Sequence, residues 1–362
     1  MSNIVASRKK VFISAGEASG HQVAQKVMYA LKQKYSQLDF FQLGGEAQAI
    51  QKKTALFPLK KLALNGIQDV IFSLPFLLKV FFVVKHWLLH HSPDLVILID
   101  YPGLNRKLLK LCKKHHFPVY YISPPQVWAY KKKNIHDFNQ VFTHVLFPMD
   151  IHYYQQVHAQ VTQAHFFQKK TPSSPKNKRL ILLLPGSRLS ILKRNLPLYL
   201  KFIYSSQTLD RHNRYLVVVP PFLRGEASIL LKAFSFASMT CDFSEAIEKG
   251  EGAIAFPGTN TLELALAGIP TYVLGVIDPP TYYIGKMLLK TKYISLPNIL
   301  LNSPLFLEHL TLKSRITQVT FDQHVKKAFE EQPSTNILWE AMGQSNGAQV
   351  AVEQCLKLLA SS

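Results

Sequence analysis

Apolar residues fall along this chain in short, dense runs separated by stretches with helical spacing. In the first half the runs are Val11–Ala15, Phe40–Leu43, Leu95–Ile99, Val119–Ile122 and Val145–Phe147. Each is too short for a helix and apolar at consecutive positions, the pattern of a strand buried on both faces. Between them, His21–Lys34 and Leu104–His115 place apolar residues three and four apart, which predicts helices with one core-facing side. Strands alternating with helices predict an α/β fold on a parallel sheet. The rhythm then breaks at "QKKTPSSPKNKR" (Gln168–Arg179), where Pro172, Pro175 and the lysines leave almost nothing to bury. Residues 168–178 therefore read as a linker.

A second α/β series follows: "LILLLPGSR" (Leu180–Arg188), "YLVVVPP" (Tyr215–Pro221) and "GAIAFPGTNTLELALAGIPTYVLG" (Gly252–Gly275). The expected organisation is a Rossmann-like, doubly wound domain over 1–167 and a second over 179–340. A cleft is expected between the carboxyl ends of the two sheets. From about Leu305 the chain reads as helical. Residues 341–362 are expected to form a terminal helix that packs back on the first domain.

One segment is apolar beyond the needs of such a fold. "GIQDVIFSLPFLLKVFFVVKHWLLHH" (Gly66–His91) approaches the roughly 20 apolar residues of a membrane span. Pro75, Lys79, Lys85 and His86 interrupt it, so an interfacial helix fits better, with Phe72, Phe76, Phe82 and Trp87 toward lipid and Lys79 and Lys85 toward headgroups. A helix buried in the first domain accounts for the pattern equally well. Charge sharpens the choice. With 42 Lys+Arg against 22 Asp+Glu the net charge is +20, which calls for an anionic partner. Zinc-finger spacing and an aromatic RNA-binding signature are both missing, so an acidic membrane surface is expected and nucleic acid is not. Cys112, Cys241 and Cys355 are odd in number and far apart. They suit a reducing compartment rather than a disulfide framework or a zinc site. The polar first ten residues do not read as a secretory signal.

Candidate chemistry lies at the predicted strand ends. In "AGEASGH" a strand runs into a turn holding Glu17, Ser19 and His21, then into a helix whose N-terminus offers N–H donors. In "ILIDYPGLN" Asp100 follows a strand and suits either a general base or a helix cap. "YISPPQVWAY" gathers Pro124, Pro125 and Trp128 into a stiff wall for a pocket. In "LLPGSR" Arg188 can meet a phosphate bidentately or serve as a surface arginine. In "PGTNTLELAL" Gly258 admits close approach, Thr259 and Thr261 add hydroxyls, and Glu263 can accept from a ribose diol. An ordinary threonine-capped turn is the alternative. In "SLPNIL" the amide of Asn298, inside an apolar run, needs a specific partner in protein or ligand. Metal-ligand spacing, a P-loop and a Gly-x-Ser-x-Gly elbow are not found, so neither metal nor cofactor is expected.

These six motifs, in this order and at these separations, resemble the lipid-A-disaccharide synthase family, over roughly Val11 to Asn298. The resemblance implies an inverting glycosyltransferase of the two-Rossmann-domain (GT-B) type. Its substrates would be UDP-2,3-diacylglucosamine and 2,3-diacylglucosamine 1-phosphate (lipid X), and its products lipid A disaccharide 1-phosphate and UDP. It also implies independence of metal and a peripheral place at the cytoplasmic face of the bacterial inner membrane. A homodimer is left open. By matching motif, Asp100 takes the catalytic role with Glu17 beside it, and Ser19, His21 and Trp128 fall on the acceptor side. Arg188, Gly258, Thr259, Thr261, Glu263 and Asn298 fall on the UDP side. The chain departs from the family pattern at His21, where the family has aspartate, and at Pro257, where it has serine. A Gly-His-Pro is replaced by "AHFFQKK", and the acid after "GSR" is absent from "LSILKRN". The alternatives are a divergent paralogue that binds lipid without catalysis, and another UDP-sugar enzyme of the same fold.

Overall fold

In the computed structural model the described residues are 8–35, 37–44, 57, 66–127, 132–168, 180–209, 213–288, 291–312, 315–331 and 333–361. They divide into two compact units. One takes most of the chain up to Phe166 and resumes at Met342; the other takes Phe167–Ala341. The expected linker at 168–178 lies almost wholly outside the described residues.

The first unit holds β1 (Lys9–Ala15), β2 (Leu38–Leu43), β3 (Leu95–Ile99), β4 (Val119–Ile122), β5 (Phe142–Val145) and β6 (Gln160–Gln163). They form one six-stranded sheet in the order β2-β1-β3-β4-β5-β6, parallel throughout. The chain moves outward from β1 to β2, then crosses back to lay β3 on the other side of β1. The strand order thus reverses between β1 and β3. Every residue of β3 is buried because both faces are covered. Ile13, Ile97 and Tyr120 meet the helix Ala18–Lys34 and the terminal helix Gly347–Ser361 through Val27, Met28, Val352 and Cys355. Phe12, Val96 and Tyr121 point the other way, into a core closed by the helices Gly66–His91 and Pro102–Lys114.

The second unit holds β7 (Leu180–Leu184), β8 (Arg214–Val218), β9 (Ala237–Thr240), β10 (Gly252–Ala255), β11 (Thr271–Ile277) and β12 (Glu308–Leu312). Its order is β12-β11-β10-β7-β8-β9, again parallel, and here the reversal falls between β7 and β10.

Two local expectations need correction, and one strand was not foreseen. The strand expected at Val145–Phe147 is β5, Phe142–Val145, because Pro148 opens the helix Pro148–Gln155 and Phe147 becomes its cap residue. The stretch after Leu305 is not wholly helical, since β12 adds an edge strand of mixed polarity, "EHLTL". β6, "QVTQ", gave no apolar signal because it too is an edge with a partly solvated face.

Gly66–His91 forms one helix with Pro75 inside it. Val80, Val84, Trp87 and Leu88 are buried in the sheet's core, whereas Leu78, Phe82, Val83 and Leu89 stay exposed, Phe82 by 59%. Trp87 is therefore not available to lipid. Its ring lies 5.3 Å from Phe12 and 4.6 Å from Phe41, and it stacks on His91 at 4.5 Å. Phe76 and Lys85 are half-buried and Lys79 is exposed, while the side chain of Phe72 lies outside the described residues.

Candidate active site

The two reversals of strand order place the candidate residues. Ligands of open α/β sheets bind beyond the carboxyl ends of the strands at such switch points, where neighbouring loops diverge and leave a crevice. Glu17 follows β1 and Asp100 follows β3, whose registered partners Ala15 and Ile99 end the two strands level. Gly16 lets these loops meet. A Cβ there would stand only 2.4–2.6 Å from ring atoms of Tyr101, a separation no side chain tolerates.

The turn after β3 is unusual. Asp100 and Tyr101 are both left-handed, with φ of 48° and 49°, a conformation costing about 1–2 kcal/mol for each non-glycine residue. Such strain persists where neighbours over-determine it. The Asp100 N–H donates to the Ile122 carbonyl at 2.9 Å. Its carbonyl accepts from the Tyr121 hydroxyl at 3.0 Å and from Asn105 Nδ2 at 2.8 Å. This leaves the half-buried Asp100 side chain at the carboxyl end of β3. Burial, joined by the negative field of Asp100 and Tyr154 and tempered by Arg106, pushes the Tyr121 phenol well above its ordinary pKa. Tyr121 therefore stays a donor.

Glu17 is half-buried at the N-cap position of Ala18–Lys34, and its side chain does not cap that helix. Ser19 is half-buried in the first turn. His21, one turn in, has its Nδ1 3.1 Å from Gln42 Nε2, and the same nitrogen donates to the Gly44 carbonyl at 2.8 Å. A carbonyl only accepts, so it fixes the Gln42 amide with nitrogen inward. His21 Nδ1 is then the acceptor, and Nε2 carries the proton of the neutral ring. Trp128 lies outside the described residues.

In the second unit the same architecture recurs. Gly186 follows β7 with φ 110°, and a Cβ there would sit 2.5 Å from Ile191 Cγ2, so both backbone and space require glycine. The N–H of Phe256, next after β10, donates to Leu184 at the end of β7, at 2.8 Å, which holds the two loops side by side. Arg188 and Gly258 occupy the N-cap positions of Leu189–Tyr204 and Thr259–Leu266, and neither helix has an acid in its first turn. Two helix N-termini without an acid in the first turn thus start at one switch point, an arrangement suited to phosphate. A Cβ on Gly258 would meet nothing within 4 Å. Thr259 and Glu263 are half-buried on the helix that follows.

Two residues assigned to the UDP side face inward instead. Thr261 is fully buried, and its hydroxyl donates to the Gly258 carbonyl at 2.7 Å, bracing the turn. Asn298 is fully buried, its Nδ2 donating to the Phe306 carbonyl and its Oδ1 accepting from the Phe306 N–H, both at 2.8 Å. Its partner is protein.

Sequence reasoning missed Gln42, Asn105 and Tyr121. Asn105 carried a signal, an amide beside Leu104, Leu108 and Leu109 on the apolar face of a helix. Also missed was Asp278, which follows β11 and pairs with Arg194 at 3.2 Å. Partial burial raises the Asp278 carboxyl, but hydrogen bonds from Thr281 and the Arg194 guanidinium outweigh it and hold the pKa below its ordinary value.

The model of the family described as lipid-A-disaccharide synthetase matches residues 11–346. The chain belongs to that family. It is 30% identical to the lipid-A-disaccharide synthase of Chromobacterium violaceum over 80% of this chain and 81% of that one. With lipid-A-disaccharide synthase 1 of Legionella pneumophila the identity is 31%, covering 83% of each chain. Among solved structures, a UDP-GlcNAc 2-epimerase from Neisseria meningitidis bound to UDP-GlcNAc matches with a TM-score of 0.57 and 11% identity, over 96% of this chain and all (100%) of that one. A spinosyn rhamnosyltransferase complexed with thymidine diphosphate gives 0.56 and 12%, over 97% and 99%. At such identities the likeness is one of fold. The lipid-A-disaccharide synthetase family is one of glycosyltransferases in lipid A biosynthesis, and the two doubly wound units are of the GT-B type.

Proposed function

We propose that the chain is an inverting glycosyltransferase that joins UDP-2,3-diacylglucosamine to 2,3-diacylglucosamine 1-phosphate, lipid X, giving lipid A disaccharide 1-phosphate and UDP. The observation that carries this reading is the placement of two loop pairs. Glu17 and Asp100 flank the switch point of one sheet, and Gly186–Arg188 and Gly258–Thr259 flank that of the other. The first pair offers carboxylates for sugar hydroxyls, the second N–H groups and a guanidinium for a diphosphate.

The chemistry follows from where charge moves. The acceptor 6-hydroxyl attacks the anomeric carbon of the donor, forming a carbon–oxygen bond as the bond to the UDP oxygen breaks. Asp100 takes the hydroxyl proton as general base. The departing UDP keeps the bonding electron pair. Arg188 and the N-termini at Leu189 and Thr259 stabilise that charge. Attack on the face opposite UDP inverts the anomeric centre. His21, a donor through Nε2, is suited to an acceptor phosphate where aspartate would repel it. Purified protein given both lipid substrates should release one UDP per disaccharide formed, read by chromatography and mass spectrometry. Turnover of UDP-GlcNAc alone would point to a different sugar-nucleotide enzyme, and no UDP release at all would leave a lipid-binding paralogue.

Membrane contact belongs to the same reading. No helix among the described residues is long and apolar enough to cross a membrane. Yet Gly66–His91 exposes Leu78, Phe82, Val83 and Leu89 around Lys79, His86 and His90, which fits an anionic surface such as the cytoplasmic face of the inner membrane. Lys79→Glu should weaken co-sedimentation with phosphatidylglycerol vesicles about thirtyfold, since each unit charge near such a surface is worth about 1 kcal/mol and the substitution changes the charge by two. Binding to neutral vesicles should change much less, and unaltered anionic binding would remove this helix from the surface.

A further inference from the structure

We propose that Tyr121 and Asn105 are positioning residues for the reaction, acting by fixing the backbone from which Asp100 projects. This rests on the assignment of Asp100 as the base. Neither residue is exposed, and both spend polar atoms on the same carbonyl. Asn105 does more than grip Asp100. Its Nδ2 also donates to the Ile99 carbonyl at 3.0 Å, and its Oδ1 accepts from the Ser14 hydroxyl at 2.5 Å. Ser14 lies on β1, three residues before Glu17. One buried amide therefore ties together the ends of β1 and β3, the two strands that flank the switch point.

Geometry makes this a matter of aim rather than of general stability. The following helix holds the Tyr101 carbonyl, which accepts from the Asn105 N–H at 3.0 Å, and β4 holds the Asp100 N–H, so the carbonyl between Asp100 and Tyr101 is the remaining group whose direction sets the turn. With Tyr121 and Asn105 on that carbonyl and Ile122 on the Asp100 N–H, all backbone polar atoms of Asp100 are engaged. A release at this point lets the peptide rotate and carries the carboxylate away from the hydroxyl it must deprotonate. Displacements near 1 Å cost on the order of a hundredfold in rate.

Tyr121→Phe is the cleanest probe, because it keeps the ring and leaves the Asp100 carbonyl with Asn105 as a partner. The expected result is a tenfold or larger fall in kcat, with KM for both substrates within twofold and the thermal midpoint within a few degrees. Protection by UDP against thermal unfolding should persist, as that reports on the second unit. Asn105→Asp keeps the acceptor for Ser14 but removes the donors to Ile99 and Asp100, and should show the same split with a larger loss. A midpoint that falls while the folded fraction keeps its kcat would reduce both residues to packing. So would a Tyr121→Phe enzyme with unaltered kcat. Asp100→Asn run in parallel separates the two levels. Should it stay fully active, the base assignment fails. Should it be inactive while both positioning variants turn over normally, the base stands and this inference alone is overturned.

Discussion

Asp100→Asn should lower kcat by about 10³-fold, within the range that positioned general acid–base groups contribute. The substitution is close to isosteric, and asparagine accepts left-handed backbone as readily as aspartate. The turn held by Tyr121, Asn105 and Ile122 is therefore expected to survive. On the proposed mechanism, what is lost is the ability to take a proton from the acceptor hydroxyl. KM for the donor and thermal protection by UDP should be unaltered, because the residues assigned to UDP lie in the other unit. Single-turnover assays at saturating substrates read the chemical step directly. Wild-type turnover in this variant would remove Asp100 from the role and return it to the structural part of the turn.

Much of this architecture was legible in the chain because parallel strands buried on both faces leave an unambiguous trace. "LVILI" and "LILLL" admit little else, and both are entirely buried in the structure. Edge strands of mixed polarity leave far less, which is why β6, β9 and β12 escaped notice while the apolar edge β2 did not. Loops were legible where glycine was compulsory, as at Gly16 and Gly186, since close approach or positive φ excludes other residues. Side-chain direction was not. Thr261 read as a hydroxyl beside a ligand turn, and Asn298 as an amide whose partner could be protein or ligand, but whether a hydroxyl or amide faces solvent depends on the packing of distant elements. Trp87 failed for the same reason. A helix that is apolar all round shows its buried face only when the sheet beneath it is known. The opposite error hid Asn105, whose partners Ser14 and Ile99 lie on separate strands and meet only after folding.

Arg188→Ala should cost about 10²–10³ in kcat, the usual penalty for removing one donor from a site where negative charge develops. On the proposed reading, the N-termini of Leu189–Tyr204 and Thr259–Leu266 would supply backbone N–H groups that bind the ground state and the departing group alike. A guanidinium adds a full charge whose attraction grows as the leaving oxygen gains electrons, so its loss should fall on kcat more than on the donor KM. The thermal midpoint of Arg188→Ala, read alongside kcat of the folded fraction, separates a loss of folding from a loss of catalysis. Arg188→Lys sharpens the test. Lysine restores charge without the planar fork, so a partial recovery means that bidentate geometry matters, and full recovery means that charge alone suffices. A rise in KM with kcat preserved in Arg188→Ala would instead assign the arginine to ground-state binding. The stabilisation of departing UDP would then rest on the two helix N-termini.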